Sequence, residues 1–424
     1  MTIEARAEAV VAAIVDAAEP AFPVTLWNGR RLGEERADGL TLVVRDPHAV
    51  AVLLRRPGIA TLAELWAGAR IDVENGTLFD IAEAGSRGKL KKRLRELLRW
   101  RFASDLPALF FAGGKRGSQR LASSQSSADG SDKAAITHHY DVSNAFYRLF
   151  LDERMVYSCG YFTDWANDID TAQRDKLDHI CRKLRLKPGE RFLDVGCGWG
   201  ALLIHAAKHY GVTATGVSLS EAQTALARER IEAEGLSDRI RIHVGSYTEL
   251  DGKFDKIASV GMFEHVGIAN HQTYFDAIRK RLAPDGIYLH HAITRRAKRT
   301  RRAFNRKSPE HRALVKYIFP GGELDHIGMT LGNLEGCGFE AHDVENLREH
   351  YGRTCRLWAD RLHENMEAAT GEIGGPRARL WQLYLTGCAL AFERGTVQIY
   401  QTVATKRRRG HAGLPPTRAD LYVR

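Results

Sequence analysis

The chain has 424 residues, 44% of them apolar, and carries a formal net charge of +10. At ~100–200 residues per domain this length suits two domains rather than one, and no run reaches the ~18 apolar residues of a membrane-spanning helix. The positive balance points to an anionic partner, nucleic acid or an anionic membrane surface, and does not choose between them.

The opening residues, Met1-Thr2-Ile3-Glu4-Ala5, place an acid early and lack the basic-then-apolar order of a secretory signal. Across 1–111, the β-rich runs Leu40–Val44 and Ile71–Glu74 alternate with helical stretches and predict a small α+β domain. That stretch includes Lys89–Arg101, where leucines 90, 94, 97 and 98 form one helical stripe among mostly basic positions. Such a helix suits a membrane interface, and equally suits packing on its own domain with a solvated basic face. Residues 112–135, rich in Gly, Ser and charge without apolar periodicity, read as a flexible linker.

From 136 to 409 the pattern changes. Candidate strands at Phe192–Val195, Ala214–Val217, Ile240–Val244, Lys256–Val260 and Gly286–Ala292 are separated by helical stretches such as Ala201–Tyr210 and Glu221–Glu234. This alternation predicts an α/β domain with a parallel, doubly wound, Rossmann-like sheet. Residues 410–424, with Gly410, Gly413, Pro415 and Pro416, read as an irregular tail. The six cysteines (159, 181, 197, 337, 355 and 388) include no CxxC pair and nothing like a metal site. Scattered thiols fit a reducing compartment, so a cytoplasmic protein is expected.

Chemistry concentrates at Asp194-Val195-Gly196-Cys197-Gly198-Trp199-Gly200, between a strand and the helix starting at Ala201. The glycines let a ligand lie against the backbone, and the helix N-terminus offers free N–H groups. An acid directly before a compact G-x-G-x-G turn favours the class I methyltransferase form, in which the acid accepts from the ammonium of S-adenosylmethionine. The next strand, Gly216-Val217-Ser218-Leu219-Ser220, lacks the acid that usually holds ribose hydroxyls. Ser218, Ser220 or Gln223 are the candidates to replace it.

Several motifs, in order, resemble the bacterial cyclopropane-fatty-acyl-phospholipid synthases. They are Ile136–Asn144, Tyr157–Phe162, Asp194–Gly200, Gly216–Gln223, Met262–Gly267, His290–Ile293, Lys316–Pro320 and Thr386–Ala389, and the likeness spans about 135–405. The first domain and linker fit the longer, two-domain phospholipid form of that family. The resemblance implies that an alkene in a phospholipid acyl chain attacks the methyl of S-adenosylmethionine. The resulting carbocation then loses a proton to a bound bicarbonate, and a ring closes. It places Glu264, His291 and Tyr317 around the bicarbonate, with main-chain help from Cys159 and Ile293, and Cys388 lining the pocket. Cofactor contacts fall on Tyr157, Ser158, Asp194, Gly196, Cys197, Gly198, Ser218, Leu219, Ser220, Gln223, Tyr247 and Thr248.

Each residue also has a plain structural reading. Glu264-His265 could be a helix cap beside a surface histidine, and Tyr317 a core aromatic. His290 and His291 alternate across a strand, so one alone faces the site, and the family register picks His291. The run Arg295–Arg302, with Arg306 and Lys307, follows that strand at the edge where substrates enter. A charge run is commonly just solvated, but lipid phosphates are its natural partner here, at about 1 kcal/mol per basic residue. The expected partners are therefore unsaturated phospholipids on the inner membrane face, not nucleic acid. No Asn/Asp-Pro-Pro-aromatic motif or RNA-binding module accompanies the charge. A homodimer would let two sites engage one membrane. Competing readings are a nucleic-acid methyltransferase, a non-catalytic membrane scaffold, and a relative that makes a methyl-branched or methylene lipid.

Overall fold

Near the N-terminus, strands β1 (Val24–Thr25), β2 (Arg31–Leu32), β3 (Thr41–Val44) and β4 (Ile71–Glu74) form a sheet in the order β2-β1-β3-β4. The helix Ile3–Ala18 starts on a Thr2 cap and turns Ala7, Val10 and Val11 inward. These residues join Leu26, Val44, Val50 and Leu65 in one apolar cluster. The computed structural model describes residues 2–85, 142–306 and 323–422. The segment Lys89–Arg101, the linker 112–135, the motif residues Ile136–Asp141, Lys307 and the Tyr317 motif lie outside the described residues.

The described chain divides into two units, one holding 2–85 with Ala369–Thr386 and the other holding 142–306, 323–368 and 387–422. Within the first unit, Arg379 is the tie between its two stretches. Its guanidinium lies 4.0 Å over the Trp66 ring, donates to the Trp66 carbonyl at 2.6 Å, and pairs with Asp72 at 3.1 Å. Trp66 Nε1 returns a bond to the Arg379 carbonyl at 2.9 Å. Arg379→Ala should therefore lower the stability of this unit by ~2–4 kcal/mol, because it strips a stacked, charge-assisted network of its centre. Urea unfolding followed by tryptophan fluorescence would measure this, and an unchanged midpoint would contradict it.

The second unit is built on β5 (Arg191–Val195), β6 (Thr213–Ser218), β7 (Ile240–Val244), β8 (Phe254–Val260), β9 (Leu282–Arg295), β10 (Phe339–Asn346) and β11 (Val397–Lys406). They form one seven-stranded sheet in the order β10-β11-β9-β8-β5-β6-β7. Strands β5 to β9 are mutually parallel, while β11 runs antiparallel to both β9 and β10. This is the mixed α/β sheet of class I methyltransferases. Strands β10 and β11 are not in the sequence-based set, and β9 extends beyond the expected 286–292.

Both sheet faces are covered. Phe192, Ala214, Ala258 and Leu289 share a cluster with Leu177, Ile180, Leu203 and Ala207. Leu193, Val217, Ile257 and Tyr288 share the opposite one with Tyr274, Ile278 and Leu334. From β5 the chain winds outward to β6 and β7, then crosses to β8 on the other side. The resulting switch point lies beside β5, where ligands bind in such sheets. The tail is irregular apart from the turn Ala419–Leu421, yet it is anchored: Leu421 is buried, and Arg185 pairs with Asp420 at 2.7 Å. Among the described residues, no helix is long and apolar enough to cross a membrane.

Candidate active site

The loop after β5 opens a cavity of about 640 Å³. Gly196, Gly198 and Gly200 all have left-handed backbones (φ +85°, +52° and +80°). At Gly196 a Cβ would also sit 2.9 Å from Met262 Cβ. Gly196→Ala should thus add backbone strain and overlap together, costing ~1–3 kcal/mol. It should also weaken cofactor binding, which calorimetric titration would show; wild-type affinity would refute the close fit.

The wall of this cavity gathers Tyr157, Ser158, Asp194, Gly196, Cys197, Gly198, Ser218, Leu219, Gln223, Tyr247 and Thr248, eleven of the residues expected at the cofactor. Ser220 is not among them. Its hydroxyl accepts from Gln223 N–H and caps the helix Glu221–Ala233. Ser218 and Gln223 remain on the wall for that task. The turn carrying Tyr247 and Thr248 is held from behind by Arg281, which donates to the carbonyls of Thr248 at 2.6 Å and Leu250 at 2.9 Å. Asn144, from the entry motif, accepts from Trp199 Nε1 at 2.8 Å and ties that motif to the glycine loop.

The sequence reading passed over Lys176. It sits on the helix Ile169–Lys183, is 2% exposed, and lines the cavity with Asp194. Its Nζ donates to Ser158 Oγ at 3.0 Å. Burial pushes its ammonium down to about 8, opposed by Asp152 and Asp194. Burial likewise pushes the Asp194 carboxyl up to about 7, with Lys176 pulling the other way. A basic and an acidic group thus line one cavity, where a zwitterionic amino-acid moiety would find a partner for each of its charges.

Glu264 and His291, expected at the bicarbonate, are not among the lining residues, but Glu264 lies between Met262 and His265, which are. Its Oε1 accepts from the Ile293 N–H at 2.7 Å, so the Ile293 amide is engaged by Glu264. On the same strand, the His291 carbonyl accepts from Gly261 N–H at 2.9 Å. Glu264 and His291 are 3% and 0% exposed. Burial raises the Glu264 carboxyl to about 7 against the pull of the Ile293 amide. It holds the His291 imidazole well below its usual range, so this ring is neutral.

Gln401, from β11, was also missed. Its Nε2 lies 3.1 Å from His291 Nδ1. An amide N–H can only donate, so Nδ1 must accept and the imidazole proton resides on Nε2. His290 faces the other way, bonding Tyr288 through Nδ1 at 2.9 Å. Cys159 is fully buried with its thiol turned to the Gly160 carbonyl at 3.2 Å, and burial keeps that thiol protonated. Cys388 is half-buried and lies, like Cys159, within electrostatic reach of Tyr351.

Three atoms of this group are buried and without hydrogen-bond partners among the described residues: Glu264 Oε2, His291 Nε2 and Gln401 Oε1. A buried polar atom is costly unless something meets it. One N–H donor, one carboxyl poised between protonation states and one carbonyl acceptor suit a small planar oxyanion that carries its own hydroxyl. Bicarbonate has that donor and acceptor set.

A profile of the family described as mycolic acid cyclopropane synthetase matches residues 128–402. A Pseudomonas putida protein named probable fatty acid methyltransferase is 38% identical over 94% of this chain and 95% of its own length. The cyclopropane-fatty-acyl-phospholipid synthase of Escherichia coli K12 is 37% identical over 63% of this chain and 66% of its own. The crystal structure of the mycolic acid cyclopropane synthase CmaA1 with SAH and CTAB superposes with a TM-score of 0.61. It is 33% identical and covers 65% of this chain and 98% of that one.

Proposed function

The chain belongs to the mycolic acid cyclopropane synthetase family and is an S-adenosylmethionine-dependent methyltransferase, and from that premise we propose that its acceptor is the cis double bond of an unsaturated phospholipid acyl chain. The observation that carries this reading is the trio of buried, unpartnered atoms on Glu264, His291 and Gln401 beside a cofactor cavity. A nitrogen or oxygen nucleophile needs a base for its own proton. An alkene instead needs a proton acceptor for the cation it becomes, inside an apolar enclosure that excludes water.

Asp194 and Lys176 orient the amino-acid end of the methyl donor, and Tyr157 and Ser158 lie on the same wall. The sulfonium C–S bond breaks as the alkene π pair forms a new C–C bond, leaving a cation on the neighbouring carbon. Bicarbonate, when bound, supplies the base for a proton of the transferred carbon, and the freed pair closes the ring. His291 would hold that anion through its Nε2–H. Glu264, near its own titration point, would take up or share a proton there. Gln401 fixes the imidazole so that it cannot compete as the base.

Incubation with S-adenosylmethionine and vesicles of unsaturated phosphatidylglycerol should give acyl chains heavier by one CH2, lost when dissolved CO2 is stripped from the buffer. An unmodified lipid would overturn the reading. The Pseudomonas putida relative, which matches nearly the whole chain, is named a probable fatty acid methyltransferase, and a second outcome is that a hydride shift followed by proton loss leaves a methylene branch instead of a ring. Proton NMR of the product separates the two, since only a ring gives upfield cyclopropyl signals. The run Arg295–Arg302 supports catalysis at the inner face of a membrane, with anionic lipid drawn to the mouth of the site.

A further inference from the structure

A second cavity, of about 540 Å³, lies next to this catalytic group and plays no part in the chemistry above. Its walls continue directly from the catalytic residues: 268–272 follow Glu264, and 298–304 follow Ile293. Two cations line it, Lys298 and Arg301, both exposed. Neither forms an ion pair among the described residues, and the same holds for Arg296, Arg299 and Arg302.

At its inner end the cavity meets His271, which is 1% exposed. The ring lies with its centroid 4.0 Å from that of Phe263, the residue before Glu264, tilted by 35°. Asn333 Nδ2 lies 3.4 Å from His271 Nδ1, which places the imidazole proton on Nε2. That Nε2 is buried and has no partner among the described residues. Burial holds the ring neutral, its value lowered to about 4, so it offers a donor without a charge. Two carboxylates lie near the ring: Asp325, 3.9 Å from Nδ1 and bonded by Thr330 Oγ1 at 2.6 Å, and Glu323, whose charge acts to raise the ring's value and whose Oε2 accepts from the Ile268 N–H at 3.1 Å. Ile268, Phe304 and Met329 form an apolar part of the wall, and Gln272, Thr300 and His326 add polar groups to it. The floor is stiffened by Arg295, whose guanidinium lies 3.7 Å over Phe304 and whose amide donates to the Asp325 carbonyl at 2.8 Å.

We infer that this cavity binds the phosphate of the substrate lipid's headgroup, with Lys298 and Arg301 as its cations and His271 Nε2–H as its inner donor. The inference rests on the reading that the acceptor is a phospholipid. A monoanionic phosphodiester needs positive charge on one side and a neutral donor where a further cation could not be solvated. Its glycerol and first methylenes would lie along Ile268, Phe304 and Met329. Anchoring the headgroup here fixes how far along the chain the double bond meets the methyl donor, so the cavity acts as a ruler for bond position.

Binding of a short saturated lipid tests this without any turnover. Dihexanoyl-phosphatidylglycerol, kept below its micelle concentration, is titrated into the full chain with SAH and followed by calorimetry. Dihexanoylglycerol and inorganic phosphate serve as the two comparison probes. The wild type should bind the phospholipid saturably, and Lys298→Ala with Arg301→Ala should weaken it about thirtyfold. SAH affinity reports that this exposed pair leaves the fold intact. His271→Phe should weaken binding, and His271→Gln, which restores an N–H donor, should recover most of it.

Equal binding by wild type and the double variant would overturn the inference, as would dihexanoylglycerol binding as tightly as the phospholipid. Inorganic phosphate binding as tightly as the phospholipid would assign the site to free phosphate and overturn it as a headgroup site. Loss of product on unsaturated vesicles, with phospholipid binding intact, would instead count against the acyl-chain chemistry alone.

Discussion

Glu264→Gln should lower kcat by ~10²–10⁴-fold while leaving the dissociation constant for S-adenosylmethionine within about twofold. Glutamine keeps the shape, and its carbonyl still accepts from the Ile293 amide, so the fold is preserved. What it loses is the protonatable oxygen at Oε2, which is buried and without a partner among the described residues. Rapid quench with product mass analysis reads the first quantity, and calorimetry the second. Stripping CO2 should slow the wild type but have little further effect on this variant. If the variant turned over at the wild-type rate, Glu264 would have no part in moving the proton.

Asp194→Asn should weaken S-adenosylmethionine binding roughly 30-fold or more, the cost of removing one partner from a buried charge pair. The wild-type affinity should itself depend on pH. With its carboxyl near 7, most molecules at pH 6 carry a proton on Asp194 and cannot balance the ammonium of the ligand. Affinity therefore rises with pH through about 7 and levels above it, falling by up to tenfold per unit below. Stability runs the opposite way. An acid raised from 3.8 to about 7 favours the folded chain while protonated, a contribution present below 3.8 and lost as pH rises through 7. Asparagine removes that loss, so the variant's Tm should gain on the wild type at pH 8 and gain less at pH 5. A flat affinity profile between pH 5.5 and 8 would contradict the assignment of Asp194 to the ammonium.

Legibility followed the distance along the chain over which each feature is made. The glycine loop is local: strand, turn and helix follow one another within Arg191–Tyr210, so residue types alone expose it. The parallel strands β5 to β8 are short apolar runs between helices, and they were legible for that reason. Strand β10 reads Phe-Glu-Ala-His-Asp-Val-Glu-Asn, an edge strand with every second position exposed, and such a run resembles surface loop until its partner is known. Glu264 and His291 were found through family likeness, since an isolated Glu-His pair has a plain structural reading.

Gln401 and Lys176 were not legible at all. Gln401 acquires its role from lying opposite His291 in the β9–β11 register, 110 positions away. Lys176 is one of several basic residues on a polar helix, and its burial on the wall of the cavity that Asp194 also lines sets it apart.

The placement of β11 between β9 and β10 also sets a timetable. Every residue lining the cofactor cavity falls between Met155 and Val266, a continuous stretch that leaves the ribosome together. The amide that sets the His291 tautomer arrives only with Gln401, 135 residues later (401 − 266). At ~5–20 residues per second that gap is roughly 7–27 s. The amide that bonds the His291 ring is thus synthesised well after every residue that lines the cofactor cavity.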